Sequence, residues 1–206
     1  MTSISIIGSG KMGAAISEVA ARAGAHVQIV KRSASSPSAA RSGFENGVMG
    51  DELTGDLVVL AVPSAAYPNI LEHYRDQLSS RVIIDISNPI DFSTYDELKS
   101  PADSSTAAEL AQLLPEGASV LKAFNFNLGD TLTSGTNGAT ATTVLFAGDY
   151  ADAKMKVAAL IEAAGMRAVD VGPLTRAREL EAMGFLQIIM AALGKTRYES
   201  GFTLLA

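Results

Sequence analysis

The sequence predicts an α/β fold: a Rossmann-type doubly wound, mainly parallel β-sheet with helices on both faces and a C-terminal helix. Short apolar runs alternate with helical patterns along the whole chain, which is typical of parallel sheets. Several runs are apolar at nearly every position, as strands buried on both faces are. A chain of 206 residues with 48% hydrophobic content can bury the core of one domain. We therefore expect residues 1–206 to form a single domain.

Strands and helices are expected to alternate in the N-terminal half. Strands are expected at four almost wholly apolar runs: Ile4–Ile7, Val27–Val30, Leu57–Val62 and Val82–Ile86. Helices are expected at about Met12–Ala23, which is rich in Ala, and at about Ala65–Leu78, which has apolar residues at helical spacing. The stretch from Ala34 to Asp56 is rich in Ser and Gly, and a third strand and a short helix have to fit there.

The C-terminal half continues the alternation. Further strands are expected at three apolar runs: Ser119–Phe124, Thr142–Ala147 and Arg167–Val171. Further helices are expected at three segments: about Ser105–Leu114, which ends before Pro115, then Ala151–Ala164 and Thr175–Leu193. From Met183 to Leu193 the last helix is apolar almost all round, whereas a surface helix shows a polar face. We therefore expect residues 175–193 to pack on the core or on a dimer partner, and we predict a C2 homodimer.

Composition excludes several classes of function. There is no Cys, which excludes disulfides, thiolate metal sites and Cys nucleophiles, and His26 and His73 alone are poor material for a metal site. The net charge of −6 argues against a nucleic-acid partner. Neither a signal peptide nor an apolar run of membrane-spanning length is visible. We expect a soluble, cytoplasmic protein without a metal site, a membrane partner or a nucleic-acid partner.

A glycine-rich motif, Gly8-Ser9-Gly10-Lys11-Met12-Gly13, follows the first predicted strand and opens the first predicted helix. This is the context in which such a motif binds the pyrophosphate of a dinucleotide. Gly8 permits the tight turn, Gly10 lets the backbone approach the phosphates, and Gly13 lets helix and strand pack closely. The helix N-terminus faces the phosphates with the favourable end of its dipole. A plain glycine-rich turn is the alternative, but the position and the flanking residues favour a dinucleotide site.

The end of the second strand discriminates between NAD and NADP. NAD-binding proteins usually carry Asp or Glu there, about 20 residues beyond the loop, to bind the ribose 2′-hydroxyl. This sequence has Lys31, Arg32 and Ser33 instead, and no acidic residue occurs between Glu18 and Glu45. Two cations and a hydroxyl suit a 2′-phosphate. A solvated basic turn is the alternative, but the missing carboxylate favours NADP(H) as the cofactor.

Three predicted strands end in residues that suit a nicotinamide pocket. These ends are Ala61-Val62-Pro63, Asn88-Pro89 and Ala123-Phe124-Asn125. Ligands of open α/β sheets lie outside the carboxyl ends of the strands. Pro closes a strand, and Asn offers both a donor and an acceptor to a carboxamide or to a ring edge. Each end alone is explained as a strand terminator, whereas together they outline a pocket for nicotinamide and for a planar acceptor above it.

Other charged residues are expected to be structural. Asp85 is expected to form hydrogen bonds at a strand end, and Lys122 to point to the opposite face from Ala123. A charged group on the last helix is expected to form surface salt bridges or an interface: Arg176, Arg178, Glu179 and Glu181. Hydride transfer between two stacked rings needs positioning and no acid/base pair. No catalytic residue is therefore predicted, apart from Asn125 as a candidate.

Five motifs occur together in this chain: Ile7-Gly8-Ser9-Gly10-Lys11-Met12-Gly13, Ala61-Val62-Pro63, Asp85-Ile86-Ser87-Asn88-Pro89, Lys122-Ala123-Phe124-Asn125 and Asp170-Val171-Gly172-Pro173-Leu174. The combination resembles the NADP-dependent deazaflavin-coenzyme reductase family, which includes small bacterial oxidoreductases and the reductase domain of six-transmembrane metalloreductases. The resemblance runs from Ile4 to about Leu193. It departs from the family pattern at Asn125, where archaeal members carry His.

This resemblance implies hydride transfer between NADP(H) and a deazaflavin or flavin stacked against the nicotinamide. It also implies that Lys31, Arg32 and Ser33 bind the 2′-phosphate. Two other functions stay open. Dehydrogenases of the hydroxyacid, pyrroline-carboxylate reductase or imine reductase kind have a similar loop, but they typically need a further helical domain, for which a chain ending at Ala206 leaves little room. A non-catalytic NADPH sensor would use the same pocket.

Overall fold

The computed structural model describes residues 2–38, 43–91 and 93–204. The N-terminal half contains five strands: β1 (Ser3–Ile7), β2 (His26–Lys31), β3 (Glu45–Val48), β4 (Leu57–Leu60) and β5 (Val82–Asp85). Helix α1 (Lys11–Arg22) joins β1 to β2. Helix α2 (Tyr67–Leu78) joins β4 to β5 and is preceded by a 3-10 turn (Ser64–Ala66). The apolar runs thus form the strands that their patterns predict.

The C-terminal half contains four helices: α3 (Thr106–Leu113), α4 (Gly129–Ser134), α5 (Ala151–Ala163) and α6 (Ala177–Ala192). It also contains five strands: β6 (Ser119–Ala123), β7 (Thr136–Asn137), β8 (Thr140–Ala141), β9 (Thr143–Gly148) and β10 (Arg167–Asp170). The N-terminus of α3 is capped by Ser105, whose hydroxyl accepts a hydrogen bond from the N–H of Ala108. A 3-10 turn (Leu174–Arg176) occupies the predicted start of α6, so that helix begins later than expected.

Eight strands form one sheet in the order β10-β9-β6-β5-β4-β1-β2-β3. Neighbouring strands are parallel except β6 and β9, which are antiparallel. The prediction of a mainly parallel, Rossmann-type sheet is therefore confirmed. The chain runs from β1 outward to β3 and then returns to β4 on the other side of β1. This reversal of strand order opens a crevice at the carboxyl ends of β1 and β4, where such folds bind ligands.

Two apolar layers cover the sheet. Alternate residues of a strand point to opposite faces, so Ile6 packs in the layer that holds α1 and α5, whereas Ile7 and Leu60 pack in the layer that holds α2 and α3. The central strands are buried on both sides, as their continuous apolar sequences predict. The rigid sheet therefore fixes the position of every loop at its carboxyl edge.

Sequence patterns missed α4 and the small β7–β8 hairpin, and they did not give the antiparallel direction of β9. The strands β7 and β8 are two residues long and pair only with each other, so they carry no apolar pattern. Helix α4 has six residues and is closed by Gly135, its C-cap, whose φ is 73°. The short helix expected between residues 34 and 56 is absent from the described parts of that stretch, and residues 39–42 lie outside the described residues.

Helix α6 packs on the core through one face only. Leu180, Gly184 and Gln187 are buried, whereas Met183 and Leu186 are 37% and 51% exposed. The helix therefore leaves an apolar stripe at the surface of the described chain. None of the helices in residues 2–38, 43–91 and 93–204 has the length and apolar character needed to span a membrane.

Candidate functional site

The turn between β1 and α1 packs tightly against the end of β4. Gly8 has a φ of 119°, and a Cβ on it would lie 2.3 Å from the carbonyl oxygen of Ala61. A Cβ on Gly13 would lie 2.1 Å from the carbonyl oxygen of Gly8. Non-bonded heavy atoms do not approach so closely, so a residue larger than glycine would force the backbone apart at either position. The two glycines therefore close the turn against the sheet.

Gly10 lies in a different environment. It is the N-cap of α1, and no atom lies within 4 Å of a Cβ built on it. The first turn of α1 carries no acidic side chain, and the first N–H groups of a helix have no acceptor within it. The backbone thus presents free donors and the positive end of the helix dipole to open space. These residues fit the pyrophosphate of a dinucleotide.

A cleft of about 1020 Å³ extends from this turn. Its walls are the turn itself, the ends of β2 and β4, and the beginning of α2. Seven of the predicted cofactor-binding residues line it: Gly8, Ser9, Gly10, Arg32, Ala61, Val62 and Pro63. Among the described residues of its lining, Arg32 carries the only ionisable group. The cleft thus brings the phosphate loop and a cation from the end of β2 into one space.

Serine hydroxyls organise the basic turn after β2. The hydroxyl of Ser36 accepts a hydrogen bond from the N–H of Ser33 at 3.1 Å, and the two hydroxyls lie 3.0 Å apart. The ammonium of Lys31 donates to the carbonyl oxygen of Ala34 at 3.3 Å. Arg32 is exposed and forms no ion pair with any residue that the structure describes. Its guanidinium is therefore available to an anion, while Lys31 and Ser33 lie outside the lining of the cleft.

Two asparagines join the ends of β5 and β6. Asn88 Nδ2 donates to the carbonyl oxygen of Asn125 at 2.7 Å. Asn125 Nδ2 donates to Asn88 Oδ1 at 2.9 Å and to the carbonyl oxygen of Leu180 at 2.8 Å. Asn125 is only 4% exposed. The two amides thus hold each other and α6, and Asn88 is the more accessible of the pair.

Helix α6 approaches this pair at a glycine. A Cβ on Gly184 would lie 2.5 Å from Asn88 Oδ1 and 2.9 Å from the carbonyl oxygen of Asn125. Phe124, at the end of β6, is fully buried with a φ of 61°, a conformation that is uncommon for a bulky residue. The surrounding core holds this turn in place, and the turn brings Asn125 beneath α6.

A buried lysine links β5, β6 and α6. Lys122 Nζ lies 3.0 Å from Asp85 Oδ2 and 2.8 Å from Glu181 Oε1, and it also donates to the carbonyl oxygen of Ser87. The side chain of Lys122 is 0% exposed. The three protons of the ammonium therefore have three acceptors. Such a group is tolerated in a core only because its charge is paired and its hydrogen bonds are satisfied.

Glu181 also caps a second helix. Its carboxylate accepts hydrogen bonds from the N–H groups of Thr106 at 3.2 Å and Ala107 at 3.4 Å, at the N-terminus of α3. The expectation that Glu181 belongs to an exposed cluster is wrong, because its side chain is 1% exposed. Arg176 and Glu179 do form a surface pair at 3.0 Å. The helical periodicity of α6 places Glu181 on its inner face with residues 177, 180 and 184, whereas Arg176 and Glu179 lie on the exposed side.

Tyr67 completes this network at the rim of the cleft. Its hydroxyl donates to Asp85 Oδ1, which also accepts from the N–H of Ser87 at 2.7 Å. Burial, followed by the negative charge of Asp85, raises the pKa of Tyr67 well above 10.0. The hydroxyl therefore stays protonated and keeps donating at neutral pH. Tyr67 follows Ala66, a residue of the cleft lining, so the network directly supports that wall.

The remaining predicted residues lie near the cleft but outside its lining: Lys11, Met12, Gly13, Lys31, Ser33, Asn88, Pro89, Ala123, Phe124 and Asn125. Their contacts with a cofactor stay predictions. Sequence reasoning missed Tyr67, Glu181 and Gly184 as supports of the site. A signal existed for the network, because Lys122 follows the apolar residues Val120 and Leu121 within a strand and must find a partner when buried.

Two comparisons of sequence relate parts of this chain to known proteins. Residues 3–89, which hold the phosphate loop and the end of β5, match the family described as NADP oxidoreductase coenzyme F420-dependent. The predicted family resemblance is therefore confirmed over these residues. The metalloreductase STEAP3 of Rattus norvegicus is 34% identical over 118 residues, or 54% of this chain. The chain spans only 23% of the length of that relative.

Solved structures share the fold. A proposed F420-dependent NADP-reductase from Arthrobacter sp. FB24 aligns over 100% of both chains with a TM-score of 0.85 and 23% identity. An imine reductase from Streptomyces aurantiacus aligns over 93% of this chain and 63% of its own, with a TM-score of 0.64 and 19% identity. Identities this low establish a common architecture and leave the reaction open. The matched family and the fold together relate this chain to NAD(P)-dependent oxidoreductases.

Replacing the buried lysine tests how much the Lys122–Asp85–Glu181 network contributes to the free energy of unfolding. Lys122→Met keeps most of the side-chain volume but leaves Asp85 and Glu181 without a buried counter-charge. We expect the free energy of unfolding, measured by urea denaturation, to fall by about 3–5 kcal/mol. The control is Lys154→Met, which removes a partly exposed pair with Asp170 and should cost less than about 1 kcal/mol. Equal losses in the two variants would contradict the importance of the buried pair.

Proposed function

We propose that this chain is an NADP(H)-dependent oxidoreductase that transfers a hydride between NADP(H) and a flavin or deazaflavin acceptor. The observation that carries the proposal is the cleft that joins an open phosphate loop to Arg32, which forms no ion pair with any residue that the structure describes. The acceptor class is supported by the match of residues 3–89 to a family described as coenzyme F420-dependent.

The cofactor assignment follows from charge. The pyrophosphate would lie over Gly10 at the N-terminus of α1, where donors face open space. Arg32 would bind the 2′-phosphate, with Lys31 and the serine hydroxyls of the same turn beside it. No acidic residue follows β2 before Glu45 to prefer a free ribose 2′-hydroxyl. NADP(H) is therefore favoured over NAD(H).

The chemistry needs little from the protein beyond positioning. NADPH supplies the hydride when it is bound. The described lining of the cleft contains no carboxylate, imidazole or amine that could act as an acid or a base. Its apolar wall, built by residues such as Val62 and Pro63, would orient the cofactor and exclude water. A reaction between two stacked rings suits such a site better than one that must protonate a small substrate.

Two alternative functions would require different groups in the site. An imine or keto-acid reductase would need a group that activates or anchors a small polar substrate, and the end of β6 offers only Lys122, which is fully engaged in the core. A non-catalytic NADPH sensor would need only the cofactor site. Turnover experiments separate all three functions, because only the sensor binds NADPH without oxidising it.

Cofactor selectivity tests the role of Arg32. Arg32→Ala removes a charge-assisted contact to the 2′-phosphate, so we expect the Kd of NADPH to rise about tenfold or more while the Kd of NADH changes little. Isothermal titration calorimetry with both cofactors measures this difference. Arg178→Ala removes an exposed arginine of α6 and should alter neither value. Equal losses for NADPH and NADH in Arg32→Ala would contradict the assignment.

An acceptor screen tests the reaction itself. We expect NADPH absorbance to bleach fastest with a deazaflavin or with FMN, FAD or riboflavin, and much more slowly with keto acids or imines. A planar tricyclic ring can stack on the nicotinamide, whereas the described lining of the cleft offers a small acid no cation besides Arg32, which the 2′-phosphate would occupy. Faster turnover of any keto acid or imine would overturn the proposed acceptor. Tight NADPH binding without turnover of any compound would favour the sensor.

We also propose that the chain is a C2 homodimer and that α6 forms the contact. Ala182 to Ala192 contains no charged residue, and its outer face leaves Met183 and Leu186 exposed, followed by Leu193 at 67%. An apolar stripe of this kind is self-complementary, because a two-fold axis brings the same residues of both copies together. Burial of the stripe would also remove its apolar surface from water.

A charge placed on the stripe tests the dimer. Leu186→Glu would bury a carboxylate in the contact, so we expect light scattering at micromolar concentration to give the monomer mass for this variant and the dimer mass for the parent protein. The matched control is Leu113→Glu on α3, which changes a residue of similar exposure, 48%, and should remain dimeric. A monomer mass for the parent protein would contradict the proposal.

A further inference from the structure

Three side chains from distant parts of the chain meet beside the phosphate loop. Lys11 Nζ lies 3.0 Å from Asp130 Oδ1 and 5.7 Å from the ring centroid of Tyr198. All three stay accessible, with the Lys11 side chain 63%, the Asp130 side chain 36% and Tyr198 49% exposed. A partly exposed aromatic side chain and an exposed cation thus stand together at the first residue of α1. We call Lys11, Asp130 and Tyr198 the outer cluster.

Helix α4 brings the outer cluster against the loop. A Cβ on Gly129 would lie 3.3 Å from Lys11 Cε and 3.7 Å from Met12 Sδ. Gly129 is the first residue of α4 and lies a few residues beyond the end of β6, so Asp130 stands at the carboxyl edge of the sheet. This is the edge at which ligands of open α/β sheets bind.

The segment that carries Tyr198 is fixed to the fold. Gln187 Nε2 donates to the carbonyl oxygen of Ser200 at 3.2 Å, and Gln187 Oε1 accepts from the N–H of Phe202 at 3.2 Å. The rings of Phe126 and Phe202 are stacked with centroids 5.7 Å apart and planes 12° apart. Tyr198 is therefore placed by contacts to α6 and to the end of β6.

The outer cluster and the cleft lie on opposite sides of the loop. The cleft is lined by Asn69 and Ile70 of α2, and Ile70 packs in the apolar layer on one face of the sheet. Helices α1 and α4 pack in the layer on the other face through Ile16 and Leu132. A dinucleotide bound across the loop would therefore have the outer cluster beside it on the side away from α2.

We propose that the outer cluster is the binding site of the hydride acceptor and that it selects a planar aromatic ring with a phosphate-bearing side chain, as in a flavin nucleotide. This inference rests on the proposed function, because it assigns the acceptor of that reaction. One face of the ring stacks on Tyr198 and leaves the other face for the nicotinamide, while Lys11 binds the phosphate. Asp130 competes with the phosphate for the ammonium and so limits the affinity.

Direct binding tests the site without turnover. FMN and riboflavin share one ring system and differ in the phosphate, so quenching of their fluorescence by NADP⁺-saturated protein measures the ring and the phosphate separately. Tyr198→Ala should raise the Kd of both compounds about tenfold, in line with the usual strength of stacking on an aromatic side chain. Tyr198→Phe keeps the ring and should restore both values.

Two charge variants are expected to change the Kd of FMN in opposite directions. Lys11→Met should raise the Kd of FMN towards that of riboflavin and leave riboflavin unchanged, because only FMN carries the phosphate. Asp130→Asn should tighten FMN by about twofold to fivefold, since it frees the ammonium from an exposed ion pair. A purely structural role of the Lys11–Asp130 pair predicts weaker binding in both variants. The Kd of NADP⁺ is measured for each variant, and the flavin titrations are run at saturating NADP⁺, so that an effect of Lys11→Met on the phosphate loop does not enter the comparison of FMN with riboflavin.

Tyr150 provides the matched control. It is 55% exposed and follows β9, which runs antiparallel to β6, so it lies at the opposite edge of the sheet. Tyr150→Ala should leave both flavins unaffected. Unchanged flavin binding in Tyr198→Ala, or failure of the parent protein to bind either flavin, would overturn the assigned site. Flavin binding that depends on Tyr198 without any NADPH oxidation would instead keep the site and refute the proposed reaction.

Discussion

The side chain of Lys122 is completely buried, and the elements around it are arranged so that its amino group is paired with carboxylates. Asp85 at the end of β5 and Glu181 on α6 supply the two carboxylates, and the carbonyl oxygen of Ser87 accepts the third proton. Because an unpaired ammonium in a core would cost several kcal/mol, β5, β6 and α6 have to meet at this point. Glu181 extends the constraint to α3 through the N–H groups that it caps.

The same constraint shapes the edge of the sheet where a cofactor would bind. Tyr67 hydrogen-bonds to Asp85 and follows the wall of the cleft, while Glu181 lies next to Leu180, whose carbonyl oxygen holds Asn125. One helix, α6, thus supports the strand ends from inside and presents apolar side chains to the outside. A dimer contact through the outer face of α6 would therefore involve the same helix that holds the strand ends in position.

Local sequence features gave the parts of the site that depend on local geometry. The spacing of Gly8, Gly10 and Gly13 specifies a turn, and the structure shows why at two of these positions, where a Cβ would overlap backbone atoms. The basic turn at Arg32 follows β2 directly, so strand prediction alone places it at the carboxyl edge. Asn88 and Asn125 were expected to contact the cofactor, and the sequence did not indicate that they hydrogen-bond to each other.

The sequence by itself determined the order of the strands and helices apart from α4 and the β7–β8 hairpin, the phosphate loop and the position of the basic turn, because each depends on residues that are neighbours in the chain. Only the tertiary structure decided that Glu181 is buried against Lys122, 59 residues away, and that Lys11 meets Asp130, 119 residues away. The tertiary structure also decided the direction of β9 and which face of α6 turns inward. Periodic patterns record which residues are apolar, whereas the pairing of a charge depends on how separate elements pack together.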